Sequence, residues 1–264
     1  MISFLKKYPI IFTSFMLAYG ISCTKSSSST PPVTSDVNLS KGLLVYLPFD
    51  GNMADSSGNG NTTTPVAGAA LTYDEHGNAN SAFGGTGNGE RIAVTNNGSI
   101  KFDTAFTFSV DVMVRNTVQG QAFGTFVERD NGTGVSFGFG MGIPNIPNLE
   151  IAVTDSLATC GGDVLPANSV TDTSQLILQP ERWYNTIAVF HKGTLQIYVN
   201  GSLISTKTGG SSTVPLCPAA ELVVGGWWDG GPLSINGVLD NVRLYNRVLN
   251  ADEIAALAKD YQQD

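Results

Sequence analysis

Charge is scarce in this chain, and positive charge scarcest of all. Only 14% of its 264 residues are charged, and 14 Lys and Arg face 22 Asp and Glu, for a net charge of −8 at pH 7. So acidic a surface disfavours nucleic-acid binding through phosphate neutralisation, and its natural complement is a bound divalent cation. Histidine is nearly missing: His76 and His191 are the only candidates for a base beside a serine nucleophile. Gly134-Val135-Ser136-Phe137-Gly138 matches the nucleophile-elbow pattern in letters, but it lies in alternating strand sequence with no helix after it, which the elbow requires. Three cysteines without paired spacing exclude a zinc site of the usual kind. Long helical arrays are excluded too, because 30 Gly and 12 Pro punctuate the chain into short segments.

What the chain has instead is alternation. Phe106, Phe108, Val110, Val112 and Val114 share one face of a half-buried antiparallel strand. Ile187–His191 and Leu195–Val199 follow, joined by Lys192-Gly193-Thr194, and Asn200-Gly201 supplies a tight hairpin turn into Leu203-Ile204. Further strands are expected at Arg91–Thr95, Ala122–Glu128, Gly134–Met141, Leu149–Thr154 and Glu221–Gly225. Gly84-Gly85-Thr86-Gly87-Asn88-Gly89 has the glycine content of a phosphate loop without its Lys-Ser/Thr or helix, and reads as a flexible β-turn. One helix is predicted: Asn250 is its N-cap, Glu253 completes a capping pair, and Ile254, Leu257 and Ala258 form its apolar stripe. It is expected to pack across one end of a β-sandwich. With 42% hydrophobic residues, the length is enough for one such sandwich with a real core.

The first 22 residues read as a secretory signal: Lys6 and Lys7 precede a mostly apolar run from Tyr8 to Ile21, short for a membrane span. Its end, Gly20-Ile21-Ser22-Cys23, reads as a bacterial lipoprotein processing site, although Gly20 replaces the usual large apolar residue. Lipidation of Cys23 would anchor the protein to the cell envelope, with the outer membrane the expected location; plain cleavage leaving a free thiol is the alternative. Residues 23–40 then form a Ser/Thr/Pro-rich tether that cannot bury a core, and 41–264 form the domain. With Cys23 on lipid, Cys160 and Cys217 remain as an even pair in an oxidising compartment, and a disulfide between them would stabilise by about 4 kcal/mol.

Two stretches bracket the domain. The first is Tyr46-Leu47-Pro48-Phe49-Asp50-Gly51-Asn52-Met53-Ala54-Asp55-Ser56-Ser57-Gly58-Asn59-Gly60-Asn61; the second is Gly237-Val238-Leu239-Asp240-Asn241-Val242-Arg243-Leu244-Tyr245-Asn246-Arg247. Between them stand Glu181-Arg182-Trp183-Tyr184-Asn185 and Leu195–Gly201. Taken in this order, these motifs resemble the LamG-like jelly rolls of the concanavalin A-like lectin/glucanase superfamily. The resemblance implies an all-β, two-sheet antiparallel jelly-roll sandwich with a short C-terminal helix. It also implies a structural Ca²⁺ between first and last strands, held by Asp50 and Asp240 with Asn52 through a backbone or amide oxygen. Asp240-Asn241 stands where the family often has two aspartates, which lowers the expected affinity. Asp55 is a further candidate ligand, or else the cap of the turn at Ser56-Ser57-Gly58.

Family glucanases carry a Glu-x-Asp-x-x-Glu strand, whereas here Glu128-Arg129-Asp130 is followed by Thr133 where the second Glu belongs. No catalytic residue is therefore assigned. Trp227-Trp228-Asp229, in a glycine-rich loop, suits a saccharide: aromatic faces stack on sugar C–H groups while a carboxylate takes hydroxyls. Trp183 is expected to be structural. The reading is a lipid-anchored, non-catalytic recognition module for a glycan or polysaccharide. A protein–protein adhesion module and, further off, a hydrolase with dispersed carboxylates are the alternatives.

Overall fold

The computed structural model describes residues 36–117, 120–128, 135–142, 148–154, 169–210, 212–214, 220–227, 231 and 233–261. Among these, strands numbered in chain order build two antiparallel sheets. The first runs β13 (Ser202–Thr208), β12 (Thr194–Val199), β11 (Trp183–His191), β6 (Ala105–Val114), β15 (Asn236–Tyr245), β4 (Ala82–Thr86), β3 (Ala70–Thr72), with β1 (Leu43–Leu47) also paired to β15. The second runs β10 (Ser169–Ile177), β9 (Asn148–Thr154), β8 (Val135–Met141), β7 (Gln121–Glu128), β14 (Ala220–Val224), β5 (Arg91–Thr95), β2 (Thr62–Val66). First and last strands meet as the motifs implied, with Leu43 opposite Tyr245 and Leu47 opposite Val242.

The period-two faces close on each other. Phe106, Phe108, Val110, Val112 and Val114 point inward, where they meet Phe123, Phe126, Phe137 and Phe139 of the second sheet. Phe106 and Phe137 stack with centroids 4.6 Å apart, and Phe102 sets its ring edge to that of Phe126 at 5.2 Å. Each such ring contributes roughly 1.5–3 kcal/mol by leaving water. Both hairpins of the β11–β13 meander turn on paired left-handed residues, Lys192-Gly193 and Asn200-Gly201, the two-residue turn whose twist suits antiparallel strands.

Two sequence expectations are corrected here. Gly84-Gly85-Thr86 is not a turn but the second half of β4; the turn is confined to Gly87–Gly89. A Cβ on Gly85 would stand 2.4 Å from the Ile235 carbonyl oxygen, so glycine serves close packing between strands there. The helix, α1 (Ala251–Leu257), has the predicted capping box, with Asn250 and Glu253 each bonded to the other's backbone N–H. It does not cross an end of the sandwich. Ile254 and Leu257 lie on the outer face of the first sheet, against Ile187, Val189 and Tyr245, because that face of β11 is itself apolar.

A clamp joins the segment before β1 to the segment after β15. Arg247 donates to the Glu253 carboxylate at 2.6 and 2.8 Å, and to the Asn38 and Lys41 carbonyls at 2.8 and 2.7 Å. Asn38 and Leu39, assigned to the tether from sequence, belong to this fold: Leu39 packs against the helix cluster. The Arg247 bonds hold the Glu253 carboxyl below the usual carboxylate range, against the opposing effect of burial. A lowered folded-state pKa means that this stabilisation is present at neutral pH and disappears as pH falls through it. Glu253→Gln should cost about 1–3 kcal/mol at pH 7 in urea unfolding and flatten the acid limb of the stability profile. An unchanged acid limb would show that the clamp does not couple to pH.

Candidate functional site

Trp227 leaves the second sheet just beyond β14. Its path is set by Gly225, left-handed at φ +82°, whose N–H donates to the Phe123 carbonyl at 3.0 Å and whose carbonyl accepts from Ile235 at 2.8 Å. A Cβ on Gly225 would lie 2.6 Å from the Phe83 ring. The next carbonyl, of Gly226, accepts from the Thr125 hydroxyl at 3.3 Å. Hydrogen bonds at Gly225 and Gly226 thus set the direction in which Trp227 emerges, partly exposed. This loop stands at the Asn236 end of β15, while Asn38 and Lys41 are clamped at its Tyr245 end. Ten residues of strand, roughly 30 Å, separate the two.

Trp228 and Asp229, the other expected ligand contacts, lie outside the described residues, as do Cys23, Cys160 and Cys217. Trp183 is not a core residue. It pairs with Met113 on the outer face of the first sheet, half-buried, while its neighbour Tyr184 turns into the core.

Much of the first motif serves β1 itself. Asp55 accepts from Tyr46 N–H at 2.9 Å, from Ser57 N–H and hydroxyl at 3.0 and 2.7 Å, and from Asn61 Nδ2 at 2.7 Å. Asn59 and Asn61 donate to the Leu43 and Leu44 carbonyls. These side chains satisfy the edge of β1 that faces away from β15, and Asp55 is the turn cap of the two roles open to it. Asp50 and Asn52 remain exposed in the following turn, where the Asn52 amide oxygen accepts from Ala54 N–H at 2.8 Å. Asp240 is buried at 6% exposure and accepts from Asn241 N–H at 2.7 Å. Asp50 is close enough to add to the negative field at Asp240. Among the described residues no three His, Cys, Asp or Glu side chains converge as a metal-holding group.

Asp240 and Asn241 mark a discontinuity in β15. One edge of the strand pairs with β4 up to Leu239 and with β1 from Val242 onward. On the other edge the register against β6 shifts between Asp240 and Arg243, and Asn241 is left-handed at φ +50°. This is a bulge, a local extra residue that re-aims side chains. Arg243 bends back to donate to the Asn241 carbonyl at 3.2 Å and lies 4.1 Å from the centre of the Tyr46 ring. Directly across from Asp240 stands Asp111, 4% exposed, which accepts from Asn185 Nδ2 at 2.7 Å. Burial pushes the Asp111 carboxyl up to about 7 and that of Asp240 up to about 8.

A family model described as the concanavalin A-like lectin/glucanases superfamily, Laminin_G_3, matches residues 84–255, more than half of the chain. The protein belongs to that family. No curated protein matches it. Among solved structures it is similar to Domain 4 of AbnA, a GH43 extracellular arabinanase from Geobacillus stearothermophilus, determined in complex with arabinotriose. The TM-score there is 0.60 at 17% identity, covering 82% of this chain and 98% of that one. It is also similar to the binding domain of Paraclostridial Mosquitocidal Protein 1, with TM-score 0.58, 17% identity and coverage of 85% and 53%. A third is the binding domain of Botulinum Neurotoxin DC in complex with SialylT, with TM-score 0.56, 14% identity and coverage of 84% and 52%. This chain spans about half the length of those two toxin chains. At such identities the likeness is one of fold.

Gly225→Ala tests the geometry under Trp227. A side chain at positive φ and against Phe83 should cost about 2–4 kcal/mol in urea unfolding. Wild-type stability would show that the Phe83 ring gives way and that the loop is not held as described.

Proposed function

We propose that this protein is a non-catalytic recognition module whose ligand is a glycan, contacted by the loop at Trp227, and that a lipid on Cys23 holds it to the bacterial envelope. The observation that carries the reading is the partly exposed Trp227 on a backbone fixed by Gly225 and Gly226, at the far end of β15 from Asn38. A rigid aromatic loses little entropy when a sugar ring stacks on it. Family membership and the saccharide complexes of the AbnA domain and the toxin domain favour the same reading by analogy. The facing carboxylates Asp111 and Asp240, at 4% and 6% exposure, are too deeply buried to reach a glycosidic bond, which favours binding over hydrolysis. A structural Ca²⁺ with Asp240 among its ligands is part of the proposal.

A glycan-array screen of the purified protein, in Ca²⁺ and in EDTA and beside Trp227→Ala, tests this. Selective binding that the folded variant loses by at least about tenfold is expected, equivalent to about 1.4 kcal/mol. A folded wild-type protein that binds no glycan would overturn the reading and turn attention to protein partners.

A further inference from the structure

The outer face of the first sheet carries a group that the glycan reading does not use. Asp111 of β6 and Asp240 of β15 are directly opposed on adjacent antiparallel strands, so their Cβ atoms stand about 5 Å apart on one face. Like charges so placed repel, and burial at 4% and 6% exposure removes the water that would screen them. Among the described residues neither carboxylate makes an ion pair. Glu75, from the loop between β3 and β4, adds further negative field at Asp111. Arg243 acts on Asp111 through its charge, while its hydrogen bonds go to Asn241, whose side chain also bonds to Asp111.

A second observation on the same face concerns Asn185. This residue of β11 is opposite Asp111 on its other side and only 2% exposed. Its amide is turned towards Asp111, donating from Nδ2 at 2.7 Å, while its Oδ1 is buried with no hydrogen-bond partner. One pleat away on β6, the Ser109 hydroxyl is likewise buried and unpartnered. A buried amide oxygen without a donor is unfavourable, and a cation between it and the two facing carboxylates would satisfy all three groups at once.

We propose that the Asp111 and Asp240 carboxylates and the Asn185 amide oxygen bind one hard divalent cation, of the Ca²⁺ or Mg²⁺ class, on the outer face of the sheet. The donors are all oxygen and bring two negative charges, which suits a hard ion and not a thiophilic one. The ligand set shares only Asp240 with the one expected from the first and last strands. It moves the ion from the exposed turn at Asp50 and Asn52 to the strand pair beneath it. A cation here would join β11, β6 and β15 across their centre, and the proposal stands whether or not the ligand at Trp227 is a glycan.

The test is calorimetric titration of CaCl₂ and of MgCl₂ into chelator-treated protein, with thermal unfolding in parallel, for wild type, Asp111→Asn, Asn185→Ala, Ser109→Ala and Asp50→Asn. Wild type should bind one ion per chain and unfold at higher temperature with it. Asp111→Asn and Asn185→Ala should weaken binding at least about tenfold, and Asp50→Asn should keep it. Asp111→Asn should also reverse sign: above wild type in chelator, where a repulsive pair has been removed, and below it in the ion. Should Asn185→Ala fail to fold, Asp111→Asn still carries the test, since it keeps the shape of the side chain. The proposal fails if folded wild type binds neither ion at millimolar concentration. It fails equally if Asp111→Asn is the more stable protein under both conditions, the mark of two carboxyls sharing a proton. Binding lost in Asp50→Asn but kept in Asp111→Asn would put the ion in the surface turn instead.

Discussion

The pairing of β15 is the constraint on which the rest of this domain depends. It lies against β6 along one edge and against β4 and then β1 along the other, so the last strand joins the chain's first strand to its longest apolar one. Its inward residues Leu239, Val242 and Leu244 seal the main core, and Tyr245 on the outer side receives the helix. The bulge at Asp240-Asn241 follows from the same arrangement. Where β4 gives way to β1, the strand must take up an extra residue, and Asn241 does so in the left-handed conformation that asparagine tolerates best after glycine.

The two ends of β15 also separate two kinds of chemistry. At Tyr245, Arg247 gathers Asn38, Lys41 and Glu253 into a knot that has stability as its product. At Asn236, strands meet in close contact, and Arg115 donates to the Gly85 and Gly237 carbonyls at 2.8 and 3.4 Å. Gly85 lets the Ile235 carbonyl approach, Gly237 lets the Met113 carbonyl approach, and Gly225 turns the chain under Phe83. Side chains at these positions would hold the strands apart. Close packing at these glycines sets the path from which Trp227 emerges.

Period-two alternation located β5, β6, β8 and β9 closely, because large apolar residues recur on a core-facing side; β6 is nonetheless buried on both faces and not half-buried as expected, its outward Thr107, Ser109 and Asp111 being covered as well. The capping box of α1 was equally plain, since Asn250 and Glu253 are three residues apart and need nothing beyond the helix. What escaped were elements whose patterns are set by neighbours. β2 and β3 are short edge strands rich in threonine and alanine, and β4 hides its strand character behind two glycines needed by Ile235 and Thr72. The packing side of the helix was misjudged because the apolar outer face of β11 is visible only once its inward face is known. Asp111 was written into the β6 pattern as the one carboxylate in a run of Phe and Val. Its meaning was not, since strand pairing alone shows that Asp240 and Asn185 flank it. Asn59 and Asn61 carry no such sign in the sequence: their donation to the Leu43 and Leu44 carbonyls shows only once β1 is in place.

The central claim is that recognition takes place at the Trp227 pole of a rigid sandwich. Its tryptophans offer a direct reading, because Trp183 stands on the sheet's outer face and Trp227 in the loop beyond β14. The measurement is an NMR titration that follows the indole N–H resonances, assigned by substitution, as a bound saccharide is added. The account predicts that the Trp227 resonance shifts in a saturable way while that of Trp183 stays in place. A saturable shift of Trp183 with Trp227 unmoved would put the ligand on the outer face of the first sheet and contradict it.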